Sequence, residues 1–188
     1  MDLLKKRIMK ESDIVSDKIL NVDSILNQQV DPKLMMQLGH EFAKRFANEQ
    51  IDKILTIEAS GISVASAVAH ELGVPLVFAR RKRPLTGEDV LVERVPSFTK
   101  GIVTDIVVSK RFLTSGERVL VIDDIIANGD AVRGLIKIIE RAEAELVGFG
   151  VVIEKSFQAG GDSLRKRGIR VEPLVQIKSL ENGQIILD

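Results

Sequence analysis

Apolar positions along the chain fall into four short runs separated by longer, periodic segments. The runs are Ile54–Ile57, Leu76–Ala79, Val119–Ile122 and Val147–Ile153. They are mostly aliphatic or β-branched and do not alternate strictly between apolar and polar residues, which is typical of strands buried on both faces. The pattern therefore predicts the strands of a mainly parallel sheet.

Helical periodicity separates these predicted strands. Asp31-Pro32 is an N-terminal cap signature, and apolar residues recur every four positions behind it. A second helix is predicted over Ile62–Leu72 with Gly73 as its C-cap, and a third has its apolar face within Val132–Ile139. Because strand and helix alternate, the sequence predicts an α/β fold with a doubly wound, mainly parallel sheet.

The stretch Arg80–Lys110 interrupts this alternation. It begins with four basic residues and ends in an alternating run, Ile102–Val108. We expect a long mobile loop followed by a hairpin-like strand, because loops of this length inside a compact domain usually have a function. The last segment, Ile169–Asp188, is predicted to form two strands joined by Glu181-Asn182-Gly183.

Composition narrows the possible function classes. The 188 residues contain 27 basic and 27 acidic side chains, so a net charge of zero gives no electrostatic argument for a nucleic-acid partner. The absence of cysteine excludes disulfides and thiolate catalysis, and two isolated histidines do not make a metal site. No apolar run approaches membrane-spanning length, and the charged N-terminus lacks a signal core. We expect a single cytoplasmic domain that does not bind membranes.

The sharpest chemical signal follows the third predicted strand. Asp123 and Asp124 end the strand, and the small residues of Ala127–Ala131 then lead into a helix. In open parallel sheets, ligands bind beyond the carboxyl ends of strands. Backbone amides of a small-residue loop can bind a phosphate at a helix start, and paired carboxylates can accept hydrogen bonds from a diol. A phosphate beside a diol describes a ribose 5-phosphate.

This segment resembles the signature of type I phosphoribosyltransferases, which bind phosphoribosyl pyrophosphate (PRPP). The resemblance implies that Asp123 and Asp124 hold the ribose hydroxyls. It also implies that the 5-phosphate is bound by five consecutive residues, Ala127, Asn128, Gly129, Asp130 and Ala131. The alternative is an ordinary strand–turn–helix with acidic turn residues.

Asp130 departs from the family pattern, because relatives usually carry a neutral residue there. A carboxylate facing a phosphate dianion would repel it, so we expect Asp130 to turn outward and cap the helix, with Arg133 partly compensating its charge.

Two further segments match the family. Ala59, Ser60 and Gly61 follow the first strand, and the resemblance implies that they bind the pyrophosphate end of PRPP. The cluster Arg80–Arg83 begins the long loop, where cations of this family close over the leaving pyrophosphate; Arg81 and Lys82 are the expected contacts. A plain connection and a solvated charge run are the respective alternatives.

Nearly the whole chain is similar to bacterial members of the family that use xanthine. That similarity implies a core of about residues 33–154 and a base-binding hood of about residues 1–32 and 155–188, with Leu20, Asn27 and Lys155 contacting the purine. Independently, an ammonium only donates hydrogen bonds, so Lys155 favours a 6-oxopurine over adenine. Asn27 alone does not separate xanthine from guanine.

The resemblance implies Mg²⁺ bound mainly through PRPP, no metal held by the protein alone, and a homodimer. Two alternatives stay open. One is a guanine or hypoxanthine phosphoribosyltransferase, which would share every PRPP residue. The other is a non-catalytic, PRPP-sensing regulator of purine genes. A general base is not identified from the sequence.

Overall fold

The structure is a computed structural model that describes residues 1–81, 89–97 and 102–188. Its strands are β1 (Asp13–Ser16), β2 (Ile19–Asn21), β3 (Lys53–Ile57), β4 (Leu76–Ala79), β5 (Val90–Ser97), β6 (Ile102–Ser109), β7 (Arg118–Ile126), β8 (Glu145–Lys155), β9 (Val171–Ser179) and β10 (Ile186–Leu187). Its α-helices are α1 (Asp2–Glu11), α2 (Pro32–Arg45), α3 (Gly61–Leu72), α4 (Asp130–Arg141) and α5 (Gly160–Arg165). A π-helical segment covers Asp23–Asn27, and 3-10 turns cover Lys110–Phe112 and Glu181–Gly183.

The central sheet has the strand order β10-β9-β8-β7-β3-β4 and is parallel except for β10. The chain leaves the β3–β7 pair in opposite directions, through α3 to β4 on one side and through α4 to β8 on the other. The carboxyl ends of β3 and β7 therefore flank a topological switch point, where open α/β sheets form ligand crevices.

Hydrophobic cores cover both faces of this sheet. On one face, α2 and α3 pack with the N-terminal elements, and their buried residues include Leu38 and Val68. On the other face, α4 packs with the β5–β6 hairpin through residues such as Leu135 and Ile106. The predicted doubly wound fold is confirmed.

The predicted helix ends are also confirmed. The Asp31 carboxylate caps α2 by accepting hydrogen bonds from the backbone amides of Lys33 and Leu34. Gly73 ends α3 in the left-handed region, with φ of 67°, which a residue without a Cβ adopts without strain. Among the described residues, no helix combines the length and apolar character needed to cross a bilayer.

The stretch Arg80–Lys110 differs in part from its prediction as a loop followed by one strand. Residues 90–97 are strand β5, which pairs antiparallel with β6 along its whole length. Pro96 lies in β5 without breaking the pairing, as edge positions allow. Residues 82–88, within the predicted loop, lie outside the described residues. At the C-terminus, β9 and β10 pair antiparallel across the predicted turn.

Candidate active site

A cleft of about 180 Å³ opens beyond the carboxyl ends of the central strands. The segment between β7 and α4 forms its floor, and the β5 end of the hairpin forms a wall. The described lining residues are Arg81, Val95, Pro96, Asp123, Ile125, Ile126, Ala127, Asn128, Gly129, Asp130, Ala131, Val132 and Phe149. The cleft thus contains one loop of five small or polar residues, a buried acid and an arginine.

The acid pair lies near the end of β7. Asp123 and Asp124 are 6% and 8% exposed, and the Asp124 amide donates a hydrogen bond to Asp123 Oδ1 at 3.0 Å. Burial raises the pKa of Asp123 well above its ordinary value, and the negative charge of Asp124 raises it further, while the nearby Arg81 partly opposes the increase. Because both carboxyl groups are largely shielded from water, they suit a ligand whose hydroxyl groups can donate hydrogen bonds to them.

The loop Ala127–Ala131 is held from behind by the start of α5. The Gly160 amide donates to the Ala127 carbonyl at 3.0 Å. Gly129 has φ of +81°, and a Cβ there would lie 3.1 Å from Gly160 Cα. Glycine is therefore needed at both contacting positions, because the two backbones approach too closely for side chains. The result is a fixed loop at the start of α4, where backbone amides of a helix N-terminus can bind an anion.

An ion pair with a buried carboxylate connects α5 to β8. The Glu154 carboxylate accepts hydrogen bonds from both terminal nitrogens of Arg165 at 2.6 Å, and from Gln176 Nε2 at 3.0 Å. A Cβ at Gly161 would overlap with Glu154 Oε1. Glu154 and Arg165 thus determine the position of the loop through α5.

Asp130 does not cap α4 as predicted. Gly129 is the N-cap residue, and the helix start has no side-chain capping hydrogen bond. Instead, Asp130 Oδ1 pairs with Arg133 Nη2 at 2.6 Å, since residues three apart lie on the same face of a helix. Asp130 lines the cleft and its side chain is 16% exposed, so it is not turned out into solvent as predicted.

The second predicted loop connects β3 to α3. Its Glu58–Ala59 peptide bond is cis, Ala59 is exposed, Ser60 is half-buried and Gly61 is buried. A Cβ at Gly61 would overlap with Thr56 Oγ1 and lie 2.7 Å from Asp123 Oδ1. The loop therefore adjoins the acid pair, and only glycine fits at its last position.

Arg81 is joined to this loop by Glu58. The Arg81 amide donates to Glu58 Oε1 at 2.5 Å, and Arg81 Nε lies 3.4 Å from the Glu58 carbonyl oxygen. Glu58 thereby places an exposed guanidinium at the edge of the cleft. Lys82, the other expected cation, lies outside the described residues.

The three predicted base contacts are not among the described residues that line the cleft. Leu20 packs in the hydrophobic core, and Asn27 is exposed at the end of the π-helical segment. Lys155, 8% exposed at the end of β8, donates to the Lys18 carbonyl oxygen at 2.8 Å. Burial lowers the pKa of Lys155. The structure therefore links Lys155 to the β1–β2 turn, which directly precedes strand β2 and its residue Leu20.

Sequence reasoning did not identify the groups behind the loop. Glu154 and Arg165 are far from the signature in sequence, and no spacing rule links them. Gly160-Gly161 carried a usable signal, because adjacent glycines at a helix start often mark a close backbone approach.

Thr56, fully buried, contains one of the buried hydroxyls for which the described residues provide no hydrogen-bond partner.

The oxygen donors of the cleft fit a magnesium ion that takes most of its ligands from elsewhere. Within the described ranges, no three His, Cys, Asp or Glu side chains lie close enough to hold a metal by themselves. Mg²⁺ commonly keeps phosphate and water oxygens as most of its ligands. The carboxylates of the cleft are compatible with such an ion.

Comparison with protein families places this site in context. The model of the phosphoribosyl transferase domain matches residues 22–170. The chain is 55% identical to the xanthine phosphoribosyltransferase of Moorella thermoacetica over 186 residues, covering 98% of this chain and 95% of that protein. It is 51% identical to the xanthine phosphoribosyltransferase of Lacticaseibacillus casei over 187 residues, covering 99% and 97%.

Solved structures agree on the architecture. The adenine phosphoribosyltransferase of Thermoanaerobacter pseudethanolicus superposes with a TM-score of 0.78 at 22% identity, covering 93% of this chain and 98% of that one. The adenine phosphoribosyltransferase of Rhodothermus marinus superposes with a TM-score of 0.75 at 25% identity, covering 94% and 100%. At this level of identity, the first of these similarities concerns the fold alone.

Proposed function

The chain belongs to the phosphoribosyl transferase domain family, and we propose that it transfers the phosphoribosyl group of PRPP to xanthine. The products are xanthosine 5′-monophosphate and pyrophosphate, so the protein is a pentosyltransferase of purine salvage. The observation that carries this proposal is that buried Asp123, next to the equally buried Asp124, lines one cleft together with loop 127–131 at the switch point.

In this proposal the loop and the acids bind the two ends of ribose 5-phosphate. Backbone amides of Ala127–Ala131 and the N-terminus of α4 bind the 5-phosphate, since both carry partial positive charge. Asp123 and Asp124 accept hydrogen bonds from the ribose hydroxyls. The interaction between the two carboxyl groups, by which Asp124 raises the pKa of Asp123, supports this, because adjacent hydroxyls of a ribose need closely spaced acceptors.

The leaving group is assigned to the adjoining loop. Ala59, Ser60 and Gly61 bind the pyrophosphate, Arg81 neutralises charge that develops on it, and Lys82 is assigned the same role. The close approach of Gly61 to Asp123 supports this assignment, because Asp123 is one of the proposed ribose contacts. The Glu58 hydrogen bond to the Arg81 amide keeps the guanidinium at the cleft.

The reaction is a displacement at the anomeric carbon. A nitrogen of xanthine forms the new bond to that carbon while the bond to the pyrophosphate oxygen breaks, and the base proton leaves to solvent or a nearby acceptor. The protein fixes both reactants in register and stabilises the departing charge, so no protein nucleophile is needed. Mg²⁺ bound to PRPP would supply further neutralisation of the pyrophosphate.

The base is assigned to the hood, proposed as about residues 1–32 and 155–188. Lys155 donates to a purine carbonyl, Asn27 provides an amide, and Leu20 supplies apolar contact. The support is the hydrogen bond from Lys155 to the β1–β2 turn, which brings strand β8 and the N-terminal hood together. A donor-only ammonium favours an oxopurine, which is why adenine is the least suitable base.

The proposed setting is the bacterial cytoplasm, and the proposed assembly is a homodimer. Phe78, 41% exposed on the sheet-edge strand β4, is a large apolar side chain that a contact between copies would cover. Sedimentation velocity would measure the assembly.

A steady-state comparison of purines tests the function. Xanthine, guanine, hypoxanthine and adenine are each supplied with saturating PRPP and Mg²⁺, and pyrophosphate release is measured. We expect the highest kcat/KM with xanthine. Higher values with guanine or hypoxanthine would identify the alternative salvage enzyme, and saturable PRPP binding without nucleotide formation would identify a regulator. Asp124→Asn serves as the active-site control and should reduce kcat/KM for PRPP far more than it changes the melting temperature.

A further inference from the structure

An ion pair lies where the loop Ala127–Ala131, the proposed phosphate loop, leads into helix α4. Asp130 lines the cleft with a side chain that is 16% exposed, and its Oδ1 lies 2.6 Å from Arg133 Nη2. Arg133 is not among the described residues that line the cleft. The acidic partner is therefore one of the residues that line the cleft, whereas the basic partner is not.

An unpaired carboxylate at this position would oppose the proposed ligand. A phosphate monoester carries close to two negative charges at neutral pH, and charges of the same sign repel most strongly where water is partly excluded. The partial positive charge of the α4 N-terminus is only about half an elementary charge, so it does not offset a full carboxylate. The site needs another source of compensation.

The surroundings of Arg133 fix its guanidinium against the loop. Nη1 lies 2.9 Å from where a Cβ of Gly129 would stand and 3.3 Å from Ser163 Oγ on α5. Ser163 Oγ itself donates to the Gly160 carbonyl oxygen at 2.8 Å. The guanidinium is therefore held between the loop, the first turn of α4 and α5.

We propose that Arg133 is a positioning residue for PRPP binding, which acts through Asp130. It cancels the charge of the carboxylate and keeps Asp130 Oδ1 turned toward α4, so that the loop accepts a phosphate dianion. The inference rests on the proposed function, in which the loop binds the 5-phosphate. It assigns opposite effects to the two partners: the arginine aids binding, and the acid weakens it.

The test is a double-mutant cycle read by ligand affinity. Arg133→Met leaves the carboxylate uncompensated and should weaken ribose 5-phosphate binding, measured by calorimetry, about tenfold. Asp130→Asn should tighten that binding about threefold, and the double variant should bind within about threefold of the wild type. In turnover, Arg133→Met should raise the KM for PRPP and leave kcat nearly unchanged.

Lys137→Met is the matched control, because it removes one positive charge from the exposed face of the same helix, one turn beyond Arg133. Its affinity should equal that of the wild type. A loss in Arg133→Met that persists in the double variant would overturn the proposal, as would weaker binding by Asp130→Asn. A wild-type protein that binds ribose 5-phosphate yet forms no nucleotide would refute the proposed function alone, since the binding cycle still tests the pair.

Discussion

Glu154 and Arg165 form a bidentate ion pair in which each carboxylate oxygen accepts a hydrogen bond from one guanidinium nitrogen at 2.6 Å. Glu154 is 1% exposed at the end of β8, whereas the Arg165 side chain on α5 is 35% exposed. The pair thus joins the sheet to the short helix whose first residue holds the phosphate loop.

Arg165→Met is expected to lower the free energy of unfolding by about 3 kcal/mol, because it leaves a carboxylate buried without its cation. This is the low end of the range for broken buried pairs, since water reaches part of the Arg165 side chain. Chemical denaturation measures the change. Arg167→Met, which removes an exposed cation of a surface pair with Glu140, should cost about 1 kcal/mol or less. Equal losses in the two variants would contradict a buried anchoring role.

Gly61→Ala should reduce kcat/KM about 100-fold, because the new methyl group displaces Asp123 or Thr56 from its position. Steady-state kinetics with PRPP and xanthine measure the loss. Gly116→Ala is the control: its φ of +80° strains any side chain, but nothing lies within 4 Å of the new Cβ. That variant should lose some thermal stability and keep its kcat/KM. If Gly61→Ala kept the kinetics of the wild type, the close approach of residue 61 to Asp123 and Thr56 would not be important for activity.

Lys155→Met should raise the KM for xanthine about tenfold, as expected for the loss of a hydrogen bond from a charged donor. The KM for PRPP should change much less, because the ammonium donates its hydrogen bond to the β1–β2 turn and Lys155 is not among the described residues that line the cleft. Lys178→Met, at an exposed lysine, provides the charge-matched comparison. A rise of equal size in both Michaelis constants would assign Lys155 a general structural role.

The raised pKa of Asp123 predicts how stability depends on pH. In the unfolded chain this carboxyl ionises near its ordinary pKa of 3.8, whereas in the folded protein it keeps its proton to higher pH. Between these two pKa values the folded state binds more protons, so its stability falls as pH rises. Asp123→Asn cannot ionise, and its stability relative to the wild type should therefore increase as pH rises from the ordinary pKa of this carboxyl toward its raised folded-state pKa.

Thermal denaturation across that range measures the difference. Asp17→Asn, at an exposed acid of the β1–β2 turn, should parallel the wild type throughout. If Asp123→Asn also paralleled the wild type, the carboxyl of Asp123 would not be a destabilising charge in the folded protein.

The sequence predicted the elements whose signals are local. The apolar runs marked β3, β4, β7 and β8, and the caps at Asp31 and Gly73 marked the ends of helices, because each depends on residues close in the chain. Strand β5 was predicted as loop, since its charged residues and Pro96 obscure the β pattern and its pairing with β6 is a tertiary property.

The predicted site depended on the same distinction. Asp123, Asp124 and the loop 127–131 belong to one continuous segment, so their proximity could be predicted from the order of strand, turn and helix. Asp130 was wrongly expected to cap α4, because Arg133 offers a stronger partner than the backbone amides do. Glu154 and Arg165 could not be found this way, since their contact exists only after α5 has packed.

Residues 154 and 155 of β8 have different partners: Glu154 anchors α5 beneath the phosphate loop, while Lys155 reaches the β1–β2 turn. Successive Cα atoms are separated by about 3.8 Å, a length set by covalent geometry. Under the proposed assignment, one peptide unit therefore separates the anchor of the loop Ala127–Ala131 from a proposed contact of the purine. An insertion or deletion at this point would therefore alter the proposed phosphate site and the proposed base site together. A sequence change confined to the loop Ala127–Ala131 or to the β1–β2 turn would alter only one of them.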